Sequence, residues 1–554
     1  MGKQVKQLTN FLNCVNIINN FIAVKRKRVE GDKIMNIKDT QIIIAMAVYM
    51  AAVVVIGIGF AKKANKSSEN YFLGGRSLGP WVTAMSAEAS DMSGWLLMGL
   101  PGVAYWCGIA DAFWTAFGLA VGTYFNWLIV SKRLRRYSIR ANNSITLPEF
   151  FSNRFRENKK VIMTLSALFI LIFFTVYAAS CFVTCGKLFA TLFDQPYIPM
   201  MILGAVFVLI YTILGGFLAE SASDFMQAIV MIVALTVITV VGVVKAGGLD
   251  AVIENAQQIP GFLDFFGMAT PSLNEAGQQI VENGAPVFGE PADYGFLKIC
   301  SMMAWGLGYF GMPQVLLRFM AIREEKELKT SRRIAMVWVV ISLAVAVFIG
   351  IMGRQIFPTD HLTSSEAESI FITLSTSFLP PILAGFVMAG ILAATISSSD
   401  SYLLIAASAV AKNIYQGMFK KNATDKQVMR ASRVTLLVIA VIAALLAMDE
   451  NSVIFQIVSF AWAGFGATFG PLMIFSLFWK RTTRTGAIAG MVSGAAMVFI
   501  WKLGISKLGG VFGIYELLPA FIISSIVIVV VSLVTPKPSK EIQEDFDSIL
   551  VEGK

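Results

Sequence analysis

Three short stretches carry residues that can do chemistry at membrane depth. Asp91 lies within the largely apolar run Trp81–Tyr105, which is interrupted by Ser90-Asp91-Met92-Ser93-Gly94 and again by Gly99-Leu100-Pro101-Gly102. Glu88 precedes it by three residues and shares a similar helix face. A charged side chain at the centre of a spanning helix costs about 2.5–3.5 kcal/mol on insertion scales, so each such acid needs either a structural partner on a neighbouring helix or a task. The second stretch, Ser397-Ser398-Ser399-Asp400-Ser401, interrupts the apolar run Ile382–Val410. Hydroxyls on a helix often bond their own i−4 carbonyl, and hydroxyls with freed carbonyls are equally the hard oxygen ligands that a sodium ion takes. The third, Leu297–Met320, contains Gly306, Gly308, Gly311 and Pro313. Gly and Pro lower helix propensity by about 1 and 3 kcal/mol, and unwound backbone survives in a membrane only where it lines a cavity or is buried in protein. Close helix packing is the other use of such glycines. Asp224, following Glu220, reads equally well as charge at a helix N-terminus.

Holding such groups at depth takes spans, and the composition supplies them. Of the 554 residues, 56% are hydrophobic and 14% charged, against about 25% charged in soluble domains. Runs such as Thr40–Phe60, Val161–Cys181, Met200–Leu218, Ala228–Val244, Val337–Met352, Val434–Met448 and Leu518–Val534 are mostly long enough to cross about 30 Å of hydrocarbon as helices. They are continuously apolar, without the alternation of a membrane β-barrel. The expectation is an all-α integral membrane protein in a lipid bilayer, with about thirteen transmembrane helices. One membrane domain covers residues 35–536, and residues 537–554 form a cytoplasmic tail. Residues 1–34 read as an N-terminal extension: Leu8–Val24 carries Asn10, Asn13, Asn16, Asn19 and Asn20, too many amides for a span, and no small-residue cleavage site follows it. Translation is expected to begin at Met35.

The charge pattern orients the spans. Lys132–Lys160 holds nine Lys/Arg, whereas the loop from Ala246 to Leu297 has seven acids and no Lys or Arg. The first belongs in the cytoplasm and the second outside. Basic loops around Lys62, Arg323, Lys412 and Lys480 then all fall inside, which places the start of the first span outside and the C-terminus inside. A basic cytoplasmic surface of this kind accounts for the net charge of +10 without nucleic-acid binding. The five cysteines, Cys14, Cys107, Cys181, Cys185 and Cys300, lack metal-ligand spacing or a disulfide framework and read as packing residues. With His361 the single histidine, no His-based triad or metal site can be assembled, and no P-loop is present. An enzyme is not expected, nor a cofactor.

The interrupted segments are spans two and seven, five apart, which suggests two inverted five-helix repeats with a binding site at the midplane. Tyr71–Pro80 (YFLGGRSLGP) followed by Ser86–Gly102 (SAEASDMSGWLLMGLPG) resembles the bacterial sodium/proline symporters of the sodium/solute symporter (SSS) family. Trp305–Pro313, Gly390–Ser398 and Ala461–Pro471 resemble it too, in the expected order. The resemblance implies a LeuT-like 5+5 inverted-repeat core and sodium-coupled uptake of L-proline across the cell membrane, with a sodium symporter for another small solute as the alternative. It implies sodium as the one metal, held by the carbonyls of Ala89, Met92 and Ala394 and the hydroxyls of Ser397 and Ser398, with Asp91 supporting the site. It further implies that Ser93, Gly94, Trp305, Tyr309 and Pro313 meet the substrate, and that Arg76, Tyr177 and Asp224 matter for transport. Glu88 receives no role.

Overall fold

Long apolar runs have one way to satisfy their backbone in hydrocarbon, and the fold is accordingly helical. The structure is a computed structural model that describes residues 37–64 and 66–551; the expected extension at 1–34 and start at Met35 lie outside the described residues. Its principal helices are α1 (Ile37–Ala64), α2 (Pro80–Asp91), α3 (Trp95–Cys107), α4 (Ile109–Arg140), α5 (Val161–Phe193), α6 (Tyr197–Ile213), α7 (Gly216–Lys245) and α8 (Phe296–Gly308). There follow α9 (Pro313–Ala321), α10 (Glu325–Ile356), α11 (Pro381–Phe419), α12 (Asp425–Leu446), α13 (Ile454–Phe478), α14 (Arg484–Leu508), α15 (Leu517–Val534) and α16 (Lys540–Val551). Among the described residues, ten helices are long and apolar enough to cross a membrane, and α3, α6 and α8 are shorter apolar helices. The segment between α7 and α8 adds two small antiparallel ribbons, Gly267–Met268 with Ala292–Asp293 and Val281–Glu282 with Ala285–Pro286, which the apolar pattern does not reveal.

The outer surface is what lipid requires. On α12, Val434, Leu437, Val438, Val441 and Leu445 are all exposed, an apolar face of the kind that would mark an interface in a soluble protein. The interior is the more polar part: Ser, Thr, Asp, Glu and Arg side chains from α2, α7, α9 and α11 are buried there. Helix α11 packs against α5, α7 and α1, so it forms the centre of the bundle.

Both interrupted segments are broken where the sequence places the interruptions. Helix α2 opens on Pro80 after Gly79, a favoured first-turn position because the missing N–H has no helical partner there. It ends at Asp91, beyond which Met92 adopts φ −85°, ψ 76°. The chain resumes through a widened π turn at Trp95–Gly99. Helices α8 and α9 are separated by Tyr309–Met312, and Met312 is extended at φ −75°, ψ 110°. A third break falls at Gly216 between α6 and α7, at φ 62°, ψ 176°. That left-handed backbone suits glycine, and the Tyr71 ring fills the space where a side chain would stand, at 2.8 Å from the Cβ position. The two broken segments are stitched at one end: Leu78 N–H donates to the Ala321 carbonyl at 3.2 Å and Arg323 N–H to the Leu78 carbonyl at 2.9 Å.

Helix α8 reaches α4 through glycines on both sides. A Cβ on Gly122 would lie 2.2 Å from the Gly306 carbonyl oxygen, and one on Gly306 would lie 2.1 Å from the Gly118 oxygen. Gly122→Ala is therefore expected to destabilise the protein by about 1–3 kcal/mol through overpacking, read as a lowered thermal midpoint of the detergent-purified chain; an unchanged midpoint would contradict the close backbone approach.

Candidate functional site

Breaking α2 at Asp91 strands backbone carbonyls in the middle of the protein, and α11 runs past them. The Ser397 hydroxyl lies 2.8 Å from the Ala89 carbonyl oxygen and 3.1 Å from that of Ala394, and the Ser398 hydroxyl lies 3.4 Å from the Ala89 oxygen. Four of the five oxygens expected to hold sodium are thus linked through the Ser397 hydroxyl and the Ala89 carbonyl, all on fully buried residues, and the fifth belongs to Met92, where the helix stops. Neutral oxygens from two helices are of the ligand type that a small hard cation takes.

The Asp91 side chain engages the second break. Its Oδ2 accepts the Tyr309 hydroxyl at 2.7 Å and its Oδ1 the Gln314 side-chain N–H at 3.4 Å. Its own carbonyl accepts the Trp95 indole N–H at 3.1 Å. The carboxylate therefore couples α2 to the α8–α9 break. Tyr309 is held in turn by Asn126, which donates to its carbonyl at 3.0 Å, and its ring stands edge-on to Trp462 with centroids 5.0 Å apart. The Trp462 indole N–H donates at 2.8 Å to the Trp305 carbonyl. Gly308 permits this approach, since a Cβ there would come within 1.9 Å of that indole nitrogen.

Trp305 sits among Trp95, Phe455, Trp462 and Tyr515, with ring centroids between 5.1 and 6.3 Å. It borders a cavity of about 630 Å³ whose walls also include Asp111, Glu368, Lys502 and Glu516. This cavity opens on the face carrying the 246–297 loop, because Ile109 beside it donates to the Phe262 carbonyl at 2.8 Å and Asp111 accepts the Tyr294 hydroxyl. Glu368 binds the first turn of α13, accepting from Ile454 N–H at 2.9 Å and Phe455 N–H at 3.0 Å, and pairs with Lys187 at 2.7 Å. Ser93 and Gly94 lie at the α2 break against α5: a Cβ on Gly94 would meet Thr184 at 2.4 Å. The buried hydroxyls of Ser93, Tyr177 and Tyr402 make no hydrogen bond of standard geometry among the described residues. Tyr177 stacks obliquely on Tyr402 at 4.2 Å and lies within electrostatic reach of Ser93. Pro313 opens α9.

Two expected residues lie elsewhere. Arg76 is on the opposite, basic face, where its guanidinium donates to Met320 O at 2.6 Å, Ser144 O at 2.8 Å, Asn143 Oδ1 at 3.0 Å and Ser138 Oγ at 3.1 Å; it ties the entry of α2 to the exit of α9. Asp224 is fully buried within α7 and accepts from Ser86 at 2.6 Å and from Arg318 at 3.2 Å, which excludes solvated charge at a helix start. Glu88 accepts the Trp127 indole N–H at 3.1 Å, a structural hydrogen bond. Gln314, Asn126, Trp462, Tyr402 and Glu368 were not singled out by the sequence; a glutamine one residue past Pro313 in an apolar run is the one signal that reading could have used.

Comparison with known proteins agrees with this architecture. The profile of the sodium:solute symporter family matches residues 71–494. The chain is 40% identical over 502 residues to the osmoregulated proline transporter OpuE of Bacillus subtilis, covering 90% of this chain and 96% of that one. It is 41% identical over 514 residues to a sodium/proline symporter of Haemophilus influenzae, covering 91% and 97%. Among solved structures, a sodium-coupled sialic acid symporter superposes with a TM-score of 0.72 at 17% identity, over 90% of this chain and 99% of that one, which fixes the fold.

If the Ser397 hydroxyl is an ion ligand, Ser397→Ala is expected to raise the sodium concentration for half-maximal thermal stabilisation at least about tenfold, the loss of roughly 1.4 kcal/mol of binding. A thermal-shift titration in sodium against choline measures this, and an unmoved midpoint would contradict it.

Proposed function

The chain belongs to the sodium:solute symporter family, and we propose that it takes up L-proline with sodium by alternating access. The observation that carries this reading is the junction at the α2 break, where Ser397 and Ser398 approach the Ala89 carbonyl on one side and Asp91 engages Tyr309 on the other. An ion on the first side fixes the unwound backbone on which the second side depends. The relatives named for proline, at about 40% identity over nine-tenths of the chain, favour proline among small solutes.

Proline is a compact zwitterion with an apolar ring. In the proposed pose its carboxylate meets half-helix N-termini, its amino group meets carbonyls freed at the breaks, and Trp305 and Tyr309 cover the ring. Ser93, Gly94 and Pro313 shape that space, and the unengaged hydroxyls of Ser93 and Tyr177 offer further polar contacts. The mouth above Trp305 carries Asp111, Glu368 and Glu516, of which Glu368 is paired with Lys187 and Glu516 with Lys502.

The loop 246–297 faces outward and the basic loops and tail face the cytoplasm of a cell that holds this chain in its plasma membrane, by the distribution of Lys and Arg. Thirteen crossings follow when α2 with α3 and α8 with α9 each count as one. Inward movement of one sodium ion then supplies about 2.3 kcal/mol per 100 mV and about 1.4 kcal/mol per tenfold concentration ratio, enough to accumulate one proline.

Purified chain in liposomes under an inward sodium gradient is expected to accumulate radiolabelled proline, to lose that accumulation in choline, and to be competed by unlabelled proline ahead of other amino acids and sugars. Uptake unaffected by sodium would overturn the mechanism, and stronger competition by another solute would overturn the substrate. Trp305→Ala is expected to raise the half-saturating proline concentration about tenfold, a loss near 1.4 kcal/mol, while the sodium dependence of transport stays; an unchanged proline dependence would remove Trp305 from the substrate site.

A further inference from the structure

Beneath the sodium ligands, toward the basic face, one buried arginine meets four helices. Arg318 on α9 is fully buried. Its Nη2 pairs with Glu220, lies 3.2 Å from Asp224 Oδ2, both on α7, and donates to Ser401 Oγ on α11 at 2.9 Å. Its Nε donates to Ser86 Oγ on α2 at 3.0 Å, and its Nη1 to the Gln314 carbonyl of its own helix at 3.1 Å. Asp400 is also buried, binding the Ser401 N–H at 2.8 Å. Three carboxyl groups thus gather around one guanidinium, with a void of about 10 Å³ among Tyr211, Thr212, Gly216, Glu220, Asp400 and Leu404.

The partners divide between the elements that have to separate if this face is to open. Ser86 lies on the half of α2 that precedes the break, and Ser401 lies one turn beyond Ser397, whose carbonyl it contacts at 3.0 Å. Gln314 contacts both Arg318 and Asp91. Among the described residues, no other side chain in this half joins α2, α7, α9 and α11 through a single group. The opposite face, by contrast, holds the 630 Å³ cavity that descends to Trp305.

We infer that Arg318 is the latch of the cytoplasmic side: its guanidinium holds the inner halves of α2, α7, α9 and α11 together, and the bonds to Ser86, Ser401 and the α7 carboxylates must part before the ion and substrate leave inward. Breaking a buried ionic junction by removing one partner is strongly unfavourable for the arrangement that contains it, so loss of the guanidinium shifts the population toward the arrangement in which these helices are apart. The latch reports on the ion site through one residue on each path, Ser401 to Ser397 and Gln314 to Asp91. The inference rests on the proposed function only for calling this side cytoplasmic and for the cargo that leaves by it.

The test reads accessibility, which needs no transport. The full chain, with its native cysteines replaced by serine and one reporter, Leu404→Cys, beside the cluster, is labelled with a membrane-impermeant maleimide in inside-out vesicles. Arg318→Gln is expected to raise the labelling rate at least about fivefold and Arg318→Lys to restore most of the protection, as a population shift of that size requires. Labelling of Arg318→Gln at the parent rate overturns the latch. If Arg318→Gln does not reach the membrane, Ser401→Ala carries the test: faster labelling supports the latch, and the parent rate overturns it. Failure of the proline reading would appear separately, as a parent chain without sodium-dependent proline uptake, whatever the labelling shows.

Discussion

Backbone that leaves the helix inside a membrane has to find partners, and this constraint governs the protein's centre. At Met92 and again between Tyr309 and Met312 the chain abandons helical geometry, where water is absent and each unsatisfied group costs several kcal/mol. All but one of the partners come from side chains far away in sequence. Trp95 caps the Asp91 carbonyl, Asn126 that of Tyr309 and Trp462 that of Trp305, while the Ala89 carbonyl meets Ser397 and Ser398. The last set differs from the others in that two hydroxyls gather on one carbonyl.

The buried charges follow from the same constraint. Asp91 is tolerated because Tyr309 and Gln314 meet it, and this contact makes one break sense the other. Glu220 and Asp224 are tolerated because Arg318 reaches them; Glu368 is tolerated because Lys187 and the first turn of α13 reach it. Each pairing joins different helices, so the polar interior ties the bundle together across its elements.

The positions of the breaks were legible in the sequence because they go against composition: Ser-Asp-Met-Ser-Gly and Gly-x-Gly-x-x-Gly-x-Pro stand out in runs that are otherwise largely apolar. The hydroxyl cluster on α11 was legible for the same reason, although its partner on α2 emerged from the resemblance to a known family. The partners across the bundle were not legible. Trp462 and Asn126 look like ordinary span residues, and their role depends on Gly308 and Gly306 letting helices approach. Asp224 could be read as a helix-start charge because Arg318, more than ninety positions away, gives no local sign of the contact. The break at Gly216 resembled a loop between two spans, since a positive φ leaves no trace beyond the glycine itself.

Sodium and proline, if bound to two sides of one unwound segment as proposed, must strengthen each other equally. Isothermal titration of the purified chain with proline, at saturating sodium and in choline, and with sodium, with and without proline, measures both directions. The account predicts that sodium tightens proline binding by the same factor, at least about tenfold, by which proline tightens sodium binding. Proline binding with the same affinity in sodium and in choline would contradict it.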